Sequence, residues 1–236
     1  MIAKTLGLLM ASAAFASAAA QEVRYNSQCS LPEPTVYVIQ AQLEVVVNLS
    51  DDNGGIFKPN QMWSAVVDRA GRLCSVVRVG DAWPGSRAIA IAKAETANDF
   101  SNVKLALSTA NLYAPTQPGG SLYGLNNSNP FNPDYLNPAS GQGRFAGGII
   151  TFGGGVALYD SKNNVIGGLG VSGDSSCADH AIAFRMRQLA GYNTLPGGTT
   201  TADNIVYGPT TSSGFWQPHC FPQDLTPQQV IDIPSH

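Results

Sequence analysis

The chain has 236 residues, with 13 lysines and arginines against 16 aspartates and glutamates, and its formal net charge is -3. Hydrophobic residues make up 44% of the chain and charged residues only 12%, which excludes a coiled coil, a disordered protein and a collagen-like chain. The mild acidity, together with the lack of any run of basic residues, argues against nucleic acid as a partner.

The N-terminal segment, residues 1–20, has the pattern of a cleaved signal peptide. Lys4 provides a short positive region, an apolar stretch follows from Leu6 to Phe15, and small residues ending at Ala20 form a signal peptidase site. Cleavage after Ala18 is the alternative. A membrane anchor would need about 20 apolar residues, and no later segment is long and apolar enough to span a bilayer. The sequence therefore predicts a periplasmic or secreted protein.

The cysteines number four, and an even number in an exported chain favours disulfides. A zinc site has little support, because the sequence contains no Cys-x-x-Cys pair. Three pairings are open. We expect Cys29–Cys74 and Cys177–Cys220, because each bond would tie a terminal arm to the body of the domain.

The first elements of the chain read as one ambiguous segment and one hairpin. The apolar run from Val36 to Leu49 has the length of a helix, but its valines also favour a strand, so both remain open. Two strands are predicted over Met62 to Asp68 and Leu73 to Val79. The tight turn between them places Gly71 where a positive φ is expected.

A helix is predicted next, over Ser86 to Asn98, with Ser86 as its cap and with alanines that would let another element approach closely. A short second helix is predicted over Val103 to Ala110. The stretch from Ala114 to Phe145 has five prolines and no periodicity, and loops of this length are usually functional. Its aromatic residues indicate that it packs against another part of the protein.

A second hairpin follows, with strands over Val156 to Tyr159 and Val165 to Leu169. The glycines of residues 168–173, in its return strand, resemble a dinucleotide-binding fingerprint, but their spacing is one residue too short. We interpret them as positions where a helix packs closely on the sheet. The last predicted helix runs from Cys177 to Leu189, with Ser176 as its cap and Asp179 completing an arrangement similar to a capping box.

Histidines are the best candidates for metal binding, since the chain has only three. His180 falls in the first turns of the last predicted helix, where the helix dipole favours the neutral ring that binds metals. His219 adjoins Cys220, so a bond from that cysteine to Cys177 would bring the two histidines into one neighbourhood. The alternative is that His180 is a helix residue with a carboxylate partner and His219 a residue of the surface.

Other catalytic patterns are weak. No credible Gly-x-Ser-x-Gly elbow surrounds a serine, so nucleophilic catalysis is unsupported. Basic residues, among them Arg78 and Lys93, cluster in the first hairpin and the helix after it. They would pair with the carboxylates of a ligand or, alternatively, form ordinary surface ion pairs.

Four motifs in order along the chain resemble the GlcG/HbpS family of haem-binding or haem-degrading domains. Residues 65–73 resemble its VVDxxGxL opening, and residues 86–97 its AxxKAxTA helix. Residues 152–156 are similar to its GGVP strand start, with Ala157 in place of proline, and residues 165–173 resemble VVGAIGVSG. Asp179 matches the aspartate that follows, and His180 stands where many members carry glutamate.

The resemblance implies an α+β domain in which an antiparallel sheet packs with helices in a profilin-like arrangement, and it implies homo-oligomers. The domain would cover residues 21–190, with its core at about 36–190, and residues 191–236 would form a C-terminal tail packed on it. Exported members of the family bind haem. We therefore expect an exported haem-binding protein; the alternative is a non-catalytic assembly partner, or a small-acid-binding subunit that does not use haem.

Haem binding would require an apolar slot, an axial ligand and cations for the propionates. The aromatic loop would supply the slot with Tyr113 and Tyr123, and Arg78 and Lys93 would meet the propionates. The axial ligand would be His180, His219 or a tyrosine. No residues dedicated to turnover can be identified, so haem degradation is implied by the resemblance alone.

Overall fold

Two hairpins form a single sheet at the centre of the computed structural model, which describes residues 28–136, 144–196, 200–209 and 214–234. The first hairpin consists of β1 (Met62–Asp68) and β2 (Leu73–Val79), and the second of β3 (Gly155–Tyr159) and β4 (Val165–Ser172). All neighbours pair antiparallel in the order β2-β1-β4-β3. The predicted α+β class with an antiparallel sheet is confirmed, and the predicted signal peptide lies outside the described residues.

Helices cover both faces of the sheet. One face carries α1 (Glu33–Val47) and α4 (Ser176–Ala190), and the other carries α2 (Ser86–Asp99). Two short helices are also present: α3 (Tyr113–Thr116) lies in the connection between α2 and β3, and α5 (Pro227–Ile231) lies in the C-terminal tail. Among the described residues, none of the helices is long and apolar enough to cross a membrane.

Side chains of the central strand alternate between the two apolar layers, as the pleat of a strand requires. Met62 and Val66 of β1 belong to the cluster built with α1 and α4. Trp63, Ala65 and Val67 belong to the cluster built with α2. Because all seven residues of β1 are buried, the strand is apolar on both faces rather than on one.

The ambiguous segment after residue 35 is a helix. Its buried side chains recur every three or four residues and form one stripe against the sheet and α4: Val36, Ile39, Leu43, Val46 and Val47. Pro34 fits in the first turn of the helix, because backbone N–H groups there make no hydrogen bond within the helix and the lack of one costs nothing. Burial of this stripe outweighs the strand preference of valine.

Several local predictions are wrong. The segment from Val103 to Ala110 is irregular, because the Asn102 side chain accepts hydrogen bonds from the N–H groups of Lys104 and Leu105 and holds a turn instead of a helix. Gly85, not Ser86, precedes α2. The long loop is not structureless, since it contains α3 and two short 3-10 turns.

The cap of α4 also differs by one residue from its prediction. Ser175 is the N-cap, and its hydroxyl accepts a hydrogen bond from the N–H of Ala178. Asp179 takes no part in a capping box. Its carboxylate turns into the core, where it meets Lys93.

Both predicted disulfides are confirmed. Cys29 bonds to Cys74 and Cys177 to Cys220, with Cα–Cα distances of 5.1 and 6.0 Å. The first bond holds the chain ahead of α1 against β2, and the second holds the C-terminal tail against the start of α4. A disulfide raises the free energy of unfolding by restricting the unfolded chain, and these two bonds close loops of 45 and 43 residues.

Two glycines of β4 let α2 lie directly on the sheet. A Cβ at Gly168 would stand 2.0 Å from the carbonyl oxygen of Ala94, and one at Gly170 would stand 2.0 Å from that of Ala90. Neither position can therefore carry a side chain without moving the helix. The interpretation of these glycines as sites of close helix-to-sheet packing is correct.

The Lys93 side chain joins the two helical layers. From α2 its ammonium donates to the carboxylate of Asp179 on α4 at 2.7 Å and to the carbonyl of Val171 at 3.1 Å, and both side chains are buried. Asp179 also accepts from the N–H groups of Gly173 and Asp174. Burial raises the pKa of Asp179 to about 6, and the neighbouring ammonium opposes that rise.

The buried ion pair leads to a stability prediction. We expect Lys93→Met to lower the free energy of unfolding by about 3–5 kcal/mol, because it leaves the Asp179 carboxylate buried without its cation. The double variant Lys93→Met with Asp179→Asn should regain much of that loss, since an amide still accepts the two backbone N–H groups. Urea unfolding of the three proteins measures this, and equal stability of single and double variants would contradict it.

Candidate functional site

A cavity of about 570 Å³ lies among segments of the C-terminal tail, and we call it the tail cavity. Its wall is mainly apolar and includes Ala202, Ile205, Val206, Pro227 and Ile231. Tyr207 and His219 also line it. The volume lies within the roughly 300–1,000 Å³ that is usual for small-molecule sites.

His219 is the chemically distinctive residue of this cavity. Its ring stacks on Tyr207 with the centroids 3.8 Å apart and the planes 11° apart. Its Nδ1 lies 3.3 Å from the Oδ2 of Asp224, and its side chain is 60% exposed. Its Nε2 has no protein partner within the described ranges. An imidazole held at one nitrogen by a carboxylate is the arrangement that metal-binding histidines usually have.

The carboxylate that holds His219 is itself fixed. Asp224 is 1% exposed and accepts hydrogen bonds from the N–H of Cys220 at 2.6 Å and of Phe221 at 3.2 Å. The disulfide ties Cys220 to the first turn of α4. Burial, and then the charge of Asp224, raise the pKa of Tyr207, so its hydroxyl stays protonated. The turn that carries His219 is thus anchored to the core through covalent and hydrogen bonds.

His180 lies on α4 and is fully buried. Its Nε2 donates to the Oδ1 of Asn204 at 3.3 Å, and Asn204 is one of the residues that line the tail cavity. Burial lowers the pKa of His180 to about 4, so the ring is neutral at physiological pH. The Nδ1 of His180 has no hydrogen-bond partner among the described residues, but the ring is fully buried, whereas the side chain of His219 is accessible.

The four residues predicted to hold a ligand are spread over the fold. Lys93 is buried in its ion pair, and Arg78 is exposed on β2, where its guanidinium carbon lies 5.6 Å from the centre of the Trp63 ring. Tyr113 begins α3, and Tyr123 is 68% exposed in the loop after it. None of the four lines the tail cavity. Their role in ligand binding stays a prediction.

Sequence reasoning missed Asp224, Tyr207 and Asn204. Only Asp224 could have been predicted from the sequence. It lies four residues after Cys220, and an aspartate at that spacing can accept hydrogen bonds from backbone N–H groups and close a turn. Tyr207 and Asn204 are brought to the cavity by tertiary contacts alone, and no local pattern marks them.

Comparison with known proteins adds one family assignment. Residues 58–187, more than half of the chain, match a family model described as haem degrading protein HbpS-like. No curated protein matches the chain significantly. The matched segment includes the whole sheet, α2 and most of α4, and it ends before the tail cavity.

Solved structures resemble the chain at low identity. Klebsiella pneumoniae protein ORFY is 24% identical, with a TM-score of 0.49, over 78% of this chain and 98% of its own. PduOC, solved as a haem complex, is 26% identical, with a TM-score of 0.48, over 67% and 94%. A double mutant of HbpS from Streptomyces reticuli is 20% identical, with a TM-score of 0.43, over 79% and 98%.

The burial of His180 should make part of the protein's stability depend on pH. Because the pKa of His180 is about 4 in the folded state and about 6.5 in the unfolded state, the unfolded chain binds the proton first. The stabilisation is complete above pH 6.5 and is lost as the pH falls towards 4. We expect His180→Gln to flatten the Tm profile between those values, and thermal unfolding at stepped pH measures this. Parallel profiles of variant and wild type would contradict it.

Proposed function

Since the chain belongs to the HbpS-like family of haem degrading proteins, we propose that it binds haem in the tail cavity, with His219 as the axial ligand. The observation that carries the proposal is the accessible Nε2 of His219 in an apolar cavity, combined with the carboxylate of Asp224 at the opposite ring nitrogen. A proximal histidine is the commonest protein ligand of haem iron in globins and peroxidases.

The residues present fit this group. Apolar side chains such as Ile205, Val206 and Ile231 would pack against the macrocycle and exclude water from the iron. The hydroxyl of Thr201, an exposed residue of the lining, offers an uncharged hydrogen-bond donor to a propionate. Bound haem would supply the redox chemistry of its iron, and we assign binding and not turnover to this chain.

Each protein residue has a defined task in this site. Asp224 accepts a hydrogen bond from the Nδ1–H of His219 and thereby favours the tautomer in which Nε2 carries the free lone pair. The Tyr207 ring limits rotation of the imidazole by stacking on one of its faces. The disulfide through Cys220 keeps the turn in place when no ligand is bound.

The two disulfides support export, which the N-terminal segment predicts. Disulfides form and persist in oxidising compartments such as the periplasm and the extracellular space. Both bonds in this protein link segments more than 40 residues apart in sequence, with separations of 45 and 43. We infer that the protein folds after it leaves the cytoplasm.

Hemin titration tests the proposed function. We expect a saturable Soret band with the wild-type protein and its loss in His219→Ala, because that variant lacks the axial nitrogen. Asp224→Asn should weaken hemin binding by roughly 10–100-fold, the usual effect of removing the partner of a ligating histidine. Absorption spectroscopy in the Soret region gives both the spectrum and the dissociation constant.

The matched control is His180→Gln, which changes the buried histidine and leaves the tail cavity lined by the same residues. It should keep the wild-type spectrum. A spectrum lost in His180→Gln but kept in His219→Ala would overturn the choice of ligand. A wild-type protein without saturable hemin binding would overturn the function.

A further inference from the structure

A second cavity, of about 410 Å³, lies between α2 and the long loop, and we call it the helix cavity. Ala88, Ile89 and Ala92 of α2 form one side of it, and Phe131 and Ile149 lie among the residues of the other. It shares no lining residue with the tail cavity. Its volume also lies within the usual range for small-molecule sites.

Three residues that line the helix cavity, Ala92, Phe131 and Gly148, lie close together. A Cβ at Gly148 would lie 2.9 Å from the Cδ2 of Phe131 and 3.1 Å from the Cβ of Ala92, so these three residues are in contact there. Gly148 has a φ of +81°, which favours glycine. Gly148 therefore lets its segment lie directly against α2 and the Phe131 ring, and a side chain there would press on both.

The chemistry of the wall selects the class of ligand. Among the described residues that line the cavity, none is charged and none is a histidine, cysteine, methionine or tyrosine. Haem iron would find no axial ligand in it. A charged ligand would lose hydration there without gaining a counter-ion. These facts favour an uncharged, largely apolar molecule.

One asparagine of the wall offers an oriented hydrogen-bond donor. The Thr151 hydroxyl donates to the Oδ1 of Asn126 at 3.1 Å, and Thr151 is itself hydrogen-bonded to Thr116 at 2.9 Å. Both threonines are buried. This bond sets the orientation of the Asn126 amide, and its Nδ2, which has no acceptor among the described residues, can donate to an oxygen of a ligand.

We propose that the helix cavity binds an uncharged aromatic molecule that bears a hydroxyl or carbonyl oxygen, with the ring system between α2 and Phe131 and with Asn126 donating a hydrogen bond to the oxygen. This site is independent of iron and of His219. It gives the protein a second ligand, of a different chemical class, on the α2 face of the sheet.

The probe for this proposal is 2-naphthol, which is uncharged at pH 7, compared with its anionic counterpart 2-naphthoate. Equilibrium dialysis with the haem-free protein should show saturable binding of one 2-naphthol per chain, and binding of 2-naphthoate weaker by roughly tenfold or more. Ala88→Leu should lower affinity for 2-naphthol by roughly tenfold or more, because its side chain enters the cavity. Asn126→Asp should lower it by roughly tenfold, because the donor is lost.

Two variants serve as controls. Ala41→Leu makes the same change on an exposed position of α1, and His219→Ala alters only the tail cavity. Both should bind 2-naphthol as the wild type does, and circular dichroism confirms that every variant is folded. No saturable binding to the wild type, equal binding of 2-naphthoate, or undiminished binding to a folded Ala88→Leu protein would each overturn the proposal.

Discussion

The rest of the structure depends on the direct contact between α2 and β4. With no side chains at Gly168 and Gly170, the helix backbone approaches the sheet more closely than any larger residue would permit. At this distance Lys93 can extend past the sheet and reach Asp179 in the opposite helical layer. Because Ala90 and Ala94 face the sheet, Ala88 and Ala92 fall on another side of α2, where they line the helix cavity. Close packing on the sheet, the buried ion pair and a candidate binding site therefore all involve this one helix.

The two candidate sites differ in how they are held in place. The helix cavity is formed by packing of α2 against the 148–150 segment and the loop around Phe131. The tail cavity is held by a covalent bond at Cys220 and by the hydrogen bonds of Asp224. One site is therefore a product of the domain core, and the other is added to that core by the chain that follows α4.

Sequence patterns predicted the elements whose signals are local. The strands of both hairpins follow from short apolar runs separated by turn residues, and the disulfide pairing from the expectation that each bond ties a terminal arm to the body. The segment from Val36 to Leu49 was open between helix and strand, because only contact with the sheet decides between them. The segment from Val103 to Ala110 was predicted wrongly, because the side chain of Asn102 competes with helical hydrogen bonds. The accessibility of His219 and the burial of His180 depend on tertiary packing that periodicity does not report.

The position of the tail has a consequence for how this architecture can diverge. The family model ends at residue 187, whereas His219 and Asp224 lie beyond it. If His219 is the haem ligand proposed above, substitutions, insertions or deletions after α4 would alter that ligand while the sheet and its helices keep their packing. Proteins with this same sheet would in that case differ in cofactor use without any change in architecture.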